Sequence, residues 1–190
     1  MTDAQLIQQY LAGDVQAFNM LVWRWQKPVY NFILRYLGRE EDAKDLTQKT
    51  FIKAYKNLRN LKDHRKFASW LYQIALNLCR DEQKKKRSNF SLESINENHH
   101  LLTVSARNPE QNLQRTELAI LLQKALSLIP EEQRTVVILK EFQGFKFAEI
   151  AELLDIPVNT AKSRMYYGLK ALRKILNQWH IDLEALYHDL

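Results

Sequence analysis

Residues 88–112, SNFSLESINENHHLLTVSARNPEQN, are rich in Ser, Asn and Gln and follow neither a helical nor an alternating apolar period, while the sequence on both sides is strongly periodic. A hydrophobic core cannot run unbroken through such a stretch, so it reads as a flexible linker between two small domains. The predicted organisation is a first domain over 1–87, the linker 88–112, a second domain over 113–182 and a short tail 183–190. His99 and His100 fall inside the linker. Adjacent histidines without Cys or carboxylate partners at ligand spacing read as solvated residues.

Both flanks follow a period near 3.6, which predicts helices near 3–12, 15–37, 40–59 and 67–86 in the first domain. The third is the cleanest, with Ala43, Leu46, Thr47, Thr50, Phe51, Ala54, Tyr55 and Leu58 on one stripe. Gly38, just before it, suits the end of the preceding helix. Its opposite face, Glu41, Asp42, Asp45, Lys49, Lys53 and Lys56, reads by itself as solvated. With only four Gly and four Pro, the chain lacks the residues that strands joined by tight turns require, so the predicted class is all-α.

A basic loop, Lys62 to Lys66, leads into a helix with Phe67, Trp70, Leu71, Ile74, Ala75 and Leu78 on its core face, and then into Lys84, Lys85, Lys86 and Arg87. Cations interleaved with aromatics suit single-stranded nucleic acid, whose backbone wants charge and whose unpaired bases want flat surfaces. The plainer alternative makes Phe67 and Trp70 core residues and 84–87 a favourable charge at a helix C-terminus.

In the second domain, Leu118, Leu121, Leu122, Ala125, Leu126 and Ile129 form one amphipathic helix, and Pro130 with Glu131 and Glu132 opens the next. Val136, Val137, Leu139 and Phe142 carry the buried face of that helix and Gly144 stops it. FAEIAELLD, the break D-I-P and VNTAKSRMYYGLKALRKIL then form a helix-turn-helix. Ile150, Ala151, Leu154, Ile156, Ala161 and Met165 are expected to pack inwards, leaving Lys162, Ser163, Arg164, Tyr166 and Tyr167 outside. Gly168 within the last helix costs about 1 kcal/mol relative to Ala, so fraying or a bend is expected there.

The formal charge of +6 is unevenly spread. Residues 1–87 hold 17 Lys/Arg against 9 Asp/Glu, a balance of +8. Residues 113–190 are neutral, yet within them 158–176 are +5 and 131–155 are −3. A polyanion would meet two separate basic surfaces, with the last helix turned towards phosphates.

These segments together resemble the bacterial RNA polymerase sigma factors of the extracytoplasmic-function (ECF) type, built from sigma domains 2 and 4 and a flexible linker. GDVQAFNMLVWRW resembles the first conserved helix, EDAKDLTQKTFIKAYKNL the polymerase-binding segment and FASWLYQIALNLCRDEQKKKR the helix that reads the −10 element. The stretch from LSLIPEEQR to LRKIL resembles domain 4, which reads the −35 element.

The resemblance implies that Asp42, Asp45, Gln48, Phe51 and Lys53 pack on the clamp helices of the polymerase β′ subunit. It assigns Leu61, Lys62, Asp63, His64, Arg65 and Lys66 to the loop that captures a flipped −10 base, and Asn77, Arg80, Asp81 and Lys84 to the helix beside the melted strand. Thr160, Lys162, Ser163, Arg164, Tyr166 and Tyr167 match the −35-reading surface, while other faces of domain 4 would bind the β flap. An anti-sigma factor, often membrane-anchored, is the implied regulator. Lys49 stands where the family usually has Glu, Asn159 where it often has Gly, and Tyr166, Tyr167, Gly168 and Leu169 where it usually has His, Arg, Ala and Arg. The −35 preference is therefore expected to differ from that of relatives.

The chain carries no Gly-rich phosphate loop, no H-E-x-x-H and no nucleophile with a motif around it, so no enzymatic activity, cofactor, metal or small-molecule substrate is expected. The single Cys79, the N-terminus without a basic leader and the lack of a spanning apolar run predict a cytoplasmic protein, drawn to the membrane only when an anti-sigma factor holds it there. The rival reading is a free-standing helix-turn-helix regulator whose first domain binds a ligand or dimerises. An apolar ligand pocket with few charges would favour it, and the +8 balance of 1–87 speaks against it. An RNA-modifying enzyme, a third possibility, lacks the catalytic constellation.

Overall fold

The computed structural model describes residues 1–90 and 109–179, with the side chains of 109–117 and of 87, 89 and 90 excepted. The predicted linker between 91 and 108, including His99 and His100, and the tail 183–190 lie outside the described residues. Every regular element among those described is helical, and the chain divides into two units, Met1–His100 and Leu101–Leu190.

In the first unit, α1 (Asp3–Leu11) starts at Thr2, whose hydroxyl accepts from the Gln5 N–H at 3.3 Å while the Gln5 side chain accepts from the Thr2 N–H at 2.8 Å. Asp14 caps α2 (Val15–Leu37), which ends at Gly38 with φ 76°, a left-handed turn that glycine takes without strain. Three acids, Glu40, Glu41 and Asp42, open α3 (Glu40–Asn57), where they meet the positive end of the helix dipole. Two 3₁₀ turns, Leu58–Asn60 and His64–Lys66, lead into α4 (Phe67–Phe90).

The core lies between α2, α3 and α4. Leu21, Val29, Phe32 and Ile33 of α2, Ala43, Leu46 and Ala54 of α3, and Phe67, Leu71, Tyr72 and Ala75 of α4 are all buried where the three helices pack. Edge-to-face rings tie α2 to α4, with Phe32 and Tyr72 centroids 5.1 Å apart. Asp3 fastens α1 to α2 by accepting from Arg24 and, at 3.1 Å, from the Trp25 indole. Phe67 is fully buried and Trp70 half-buried, so both are chiefly core residues.

In the second unit, α5 (Pro109–Leu128) is followed by α6 (Glu131–Val137), which opens after Pro130 and continues into one π-helical turn, Ile138–Phe142. Gly144, at φ 73°, ends that segment. The helix-turn-helix consists of α7 (Phe147–Leu154) and α8 (Val158–Gln178), joined through Asp155 at φ 52°. Asp is among the few L-residues that tolerate this conformation. Both ends of the predicted linker are helical where described, at 88–90 in α4 and 109–112 in α5.

Ile150, Ala151, Ala161 and Met165 pack inwards as the periodicity predicts. Leu154 and Ile156 are only half-buried, and Leu153, three residues after Ile150 on the same stripe, takes the fully buried place. The expected weakness at Gly168 is corrected: α8 is continuous through it. A Cβ there would lie 2.9 Å from Val137 Cγ2 and 3.3 Å from Gln133 Cβ, so the glycine lets α8 close onto α6.

Candidate nucleic-acid interface

The outward side of α8 carries Asn159, Lys162, Ser163, Tyr166, Tyr167 and Lys170, all exposed and spaced by three and four residues. Thr160 is half-buried beside this stripe. The hydroxyl of Ser163 donates to the Asn159 carbonyl at 2.9 Å, so its oxygen remains open as an acceptor. Tyr166 and Tyr167, 63% and 56% exposed, stand edge to face with centroids 5.4 Å apart. Arg164, four residues after Thr160 on the same face, borders the open stripe and is half-buried. It turns towards α6, where its Nη2 meets Glu132 Oε2 at 2.8 Å.

The first unit brings together a second basic surface. Asp63 caps the turn at 64–66, accepting from the Arg65 N–H at 3.1 Å and from the Arg65 guanidinium at 3.0 and 3.1 Å. These hydrogen bonds from Arg65 hold the Asp63 carboxyl below the usual aspartate range and raise the Arg65 guanidinium in turn. Lys62, Arg65 and Lys66 are exposed on this loop, with Leu61 and His64 half-buried.

Asn77, Arg80, Asp81 and Lys84 follow on α4 at i, i+3, i+4 and i+7, one stripe of the helix. Asn77 accepts from Gln73 at 3.4 Å, and Arg80 is half-buried. Because α4 runs on to Phe90, Lys84, Lys85 and Lys86 sit at least a turn before its end, and of the basic run 84–87 only Arg87 falls in the last turn. Lys84 and Lys85 are exposed, while Lys86 bends back to Asp42 and, at 3.7 Å, to Glu82.

On α3 the five predicted polymerase contacts do not share one surface. Asp45 and Gln48 are exposed, and Asp45 pairs with Lys49 at 2.7 Å, which raises the Lys49 ammonium. Asp42 is half-buried under Lys86. Phe51 is 7% exposed and belongs largely to the core. Lys53 is exposed, but five residues from Gln48 it lies about 140° round the helix. The structure instead sets Gln48 and Phe51 beside a groove between α2 and α3, with Val15, Phe18, Ile52 and Tyr55 along it. Tyr55 and Ile52 are exposed there, and Trp23 on α2 is 79% exposed. The apolar spacing predicts Tyr55 on the core stripe and gives Trp23 and Ile52 no role, whereas all three are large apolar side chains exposed off the buried face of their helix.

Among the described residues there is no group of three or more His, Cys, Asp or Glu able to hold a metal ion, and no helix is long and apolar enough to cross a membrane.

Two family models match the chain, sigma-70 region 2 over residues 21–89 and sigma-70 region 4 over residues 119–172. The chain is 35% identical over 176 residues to the ECF RNA polymerase sigma factor SigW of Bacillus subtilis, covering 90% of this chain and 94% of that protein. It is 31% identical over 181 residues to the RNA polymerase sigma-H factor of Pseudomonas aeruginosa, covering 92% and 93%. It is also 32% identical over 180 residues to the ECF sigma-E factor of Escherichia coli, covering 90% and 93%. Among solved structures, the fold is similar to the sigma factor RpoE in complex with the anti-sigma factor NepR from Bartonella quintana, with TM-score 0.73, 20% identity and 86% and 98% coverage. It is similar too to CnrH in complex with the cytosolic domain of CnrY, with TM-score 0.70, 24% identity and 93% and 97% coverage.

Proposed function

We propose that this chain, which belongs to the extracytoplasmic-function group of RNA polymerase sigma factors, docks on core polymerase through α3 and the edge of α2 and directs it to promoters with α4 and α8. The family acts in transcription initiation, with core RNA polymerase and promoter DNA as its partners. The observation that carries the assignment of surfaces is the presence of two basic surfaces on separate units, one formed by the loop 61–66 with α4 and one on the second helix of a helix-turn-helix.

Each surface suits a different form of DNA. The α8 stripe offers cations for phosphates and short polar and aromatic groups for base edges, as a helix entering a major groove requires. Lys162 and Ser163 are its leading polar contacts, with Thr160, Tyr166 and Tyr167 beside them. The loop 61–66 and the α4 stripe suit a melted strand. Opening a duplex loses stacking worth about 1.4 kcal/mol per step. A protein without a nucleotide site offsets this by holding flipped bases in pockets and the displaced backbone on cations. Leu61 and His64 would form the base pocket, and Lys62, Arg65, Lys66, Arg80 and Lys84 would meet the backbone. RNA synthesis itself would belong to the polymerase.

The α2–α3 groove, with Val15, Ile52 and Tyr55 exposed, supports a docking role for this side of the first unit. Gln48, which lines it, and exposed Asp45, three residues earlier on α3, would face the β′ clamp helices, and faces of the second unit away from α8 would meet the β flap. An anti-sigma factor, the kind of partner that RpoE holds in its complex with NepR, would be a second occupant for the same apolar side chains. The protein would act in the cytoplasm, where its polymerase and DNA are.

The test is reconstitution. Purified chain added to core polymerase is expected to give promoter-dependent transcripts. Tight binding to DNA alone with no support of initiation would overturn the proposal in favour of a free-standing helix-turn-helix regulator.

A further inference from the structure

The close approach at Gly168 has an effect one turn earlier on α8. Gly168 presses against Gln133 and Val137 of α6, and Arg164 stands four residues before it on the same side of α8. Glu132, the neighbour of Gln133, thereby comes within 2.8 Å of the Arg164 guanidinium. The Arg164 side chain is only 24% exposed, while Glu132 is 67% exposed at the outer edge of the seam.

A mobile arginine beside DNA goes to the nearest phosphate, a contact that carries no sequence information. Reading a base edge instead requires the planar fork to be held in one orientation, because discrimination comes from two parallel N–H donors meeting two acceptors. Glu132 supplies both conditions. It occupies Nη2 and leaves the remaining guanidinium donors free to reach a ligand. Its carboxylate also offsets the positive charge that would draw Arg164 to a phosphate. Exposed Lys162, Lys170, Arg173 and Lys174 on the same helix are left to make the phosphate contacts.

We propose that Glu132 is a positioning residue for −35 recognition, fixing the plane of Arg164 so that it donates to a base edge and not to the backbone. This rests on the reading that α8 enters the −35 major groove. Arg164 then contributes sequence preference and little to salt dependence, whereas the exposed lysines contribute the reverse.

The experiment uses holoenzyme formed from the full chain and core polymerase, and measures binding to promoter duplexes carrying each base at each −35 position across a salt series. Glu132→Gln is expected to lower the preference at one position by about tenfold, the scale of one bidentate contact, and to steepen the salt slope by about 0.9 as Arg164 moves to a phosphate. Its melting temperature should stay close to that of the parent. Glu132→Asp should restore much of the preference. Arg164→Ala should lose preference at the same position, with Glu132→Gln adding nothing further. If Glu132→Gln weakens every sequence equally, or leaves the preference intact while the parent discriminates, this inference alone is overturned. A parent holoenzyme indifferent to every −35 base would overturn the reading of α8, and this inference with it.

Discussion

The Lys86 ammonium donates to the Asp42 carboxylate, joining the basic run of α4 to the first turn of α3 across 44 residues of sequence. Both side chains are less than one-third exposed, and Glu82 supports Lys86 from one turn earlier on α4 at 3.7 Å. Asp42 is therefore committed within the first unit as well as being a predicted polymerase contact. Lys86→Met should cost about 1–3 kcal/mol, since it leaves the partly buried Asp42 carboxylate without its charged donor. Thermal unfolding of the isolated chain measures this directly, and an unchanged midpoint would mean that the pair is only a surface contact.

Asp45 offers the contrasting case on the same helix. It is exposed, and its pairing with Lys49 is an i,i+4 surface contact that carries little stability. Asp45→Lys should leave the melting temperature within a degree or two while weakening binding to core polymerase by roughly tenfold, through like-charge or lost-pair effects at the interface. Unchanged affinity in a fluorescence titration would remove Asp45 from the docking surface.

Gly168→Ala sets two effects against each other. Helix propensity favours alanine by about 1 kcal/mol. Overpacking opposes it, because the new methyl would sit 2.9 Å from Val137 Cγ2 in a core where Val137 is buried and stiff about χ1. Forced repacking of this kind costs about 1–3 kcal/mol, so a net loss of stability up to about 2 kcal/mol is expected. Adding Val137→Ala should make Gly168→Ala less unfavourable than it is alone, as a double-mutant cycle in urea would read out.

The Asp63 and Arg65 pair makes a prediction about pH. The carboxyl titrates below the ordinary aspartate value of about 3.9 because Arg65 hydrogen-bonds its charged form. Its contribution is therefore complete above that value and is lost only as the pH falls through the lower folded one. The loop should stay ordered between pH 5 and 8 by this criterion, with flat −10 binding to the extent that Asp63 controls it. An NMR titration of the Asp63 side chain should show the depressed midpoint, and Arg65→Ala should return it towards the ordinary value.

The helices were legible in the sequence because their causes are local. Apolar spacing, Gly38 and Pro130 lie within a turn or two of the boundaries they set. The outward stripe of α8 was legible for the same reason. Contacts between helices were not. Nothing within a few residues of Arg164 points to Glu132, and nothing near Lys86 points to Asp42, since both pairs form only when separate helices pack. Gly168 misled local reasoning most clearly: intrinsic propensity sees only its entropic cost, while its reason is a neighbour on α6. Phe51 fits both a core stripe and an interface, and three-dimensional packing assigns it chiefly to the core.

Tyr167 is where recognition should be easiest to redirect. Its ring is exposed on the open stripe and leans edge to face on Tyr166, so an arginine there would project without disturbing the core. Tyrosine brings no charge, and its contact with DNA should depend little on salt; an arginine adds one cation and a bidentate fork suited to guanine. Tyr167→Arg in the holoenzyme should steepen the salt dependence of promoter binding by about 0.9 if the new cation meets a phosphate. If it meets a base instead, guanine should gain about five- to tenfold at one −35 position, within the range of a single good base contact. A −35 library read at two salt concentrations separates the two outcomes. No change in either would mean that this part of α8 points away from the DNA, confining the reading surface to Lys162, Ser163, Arg164 and the turn before them.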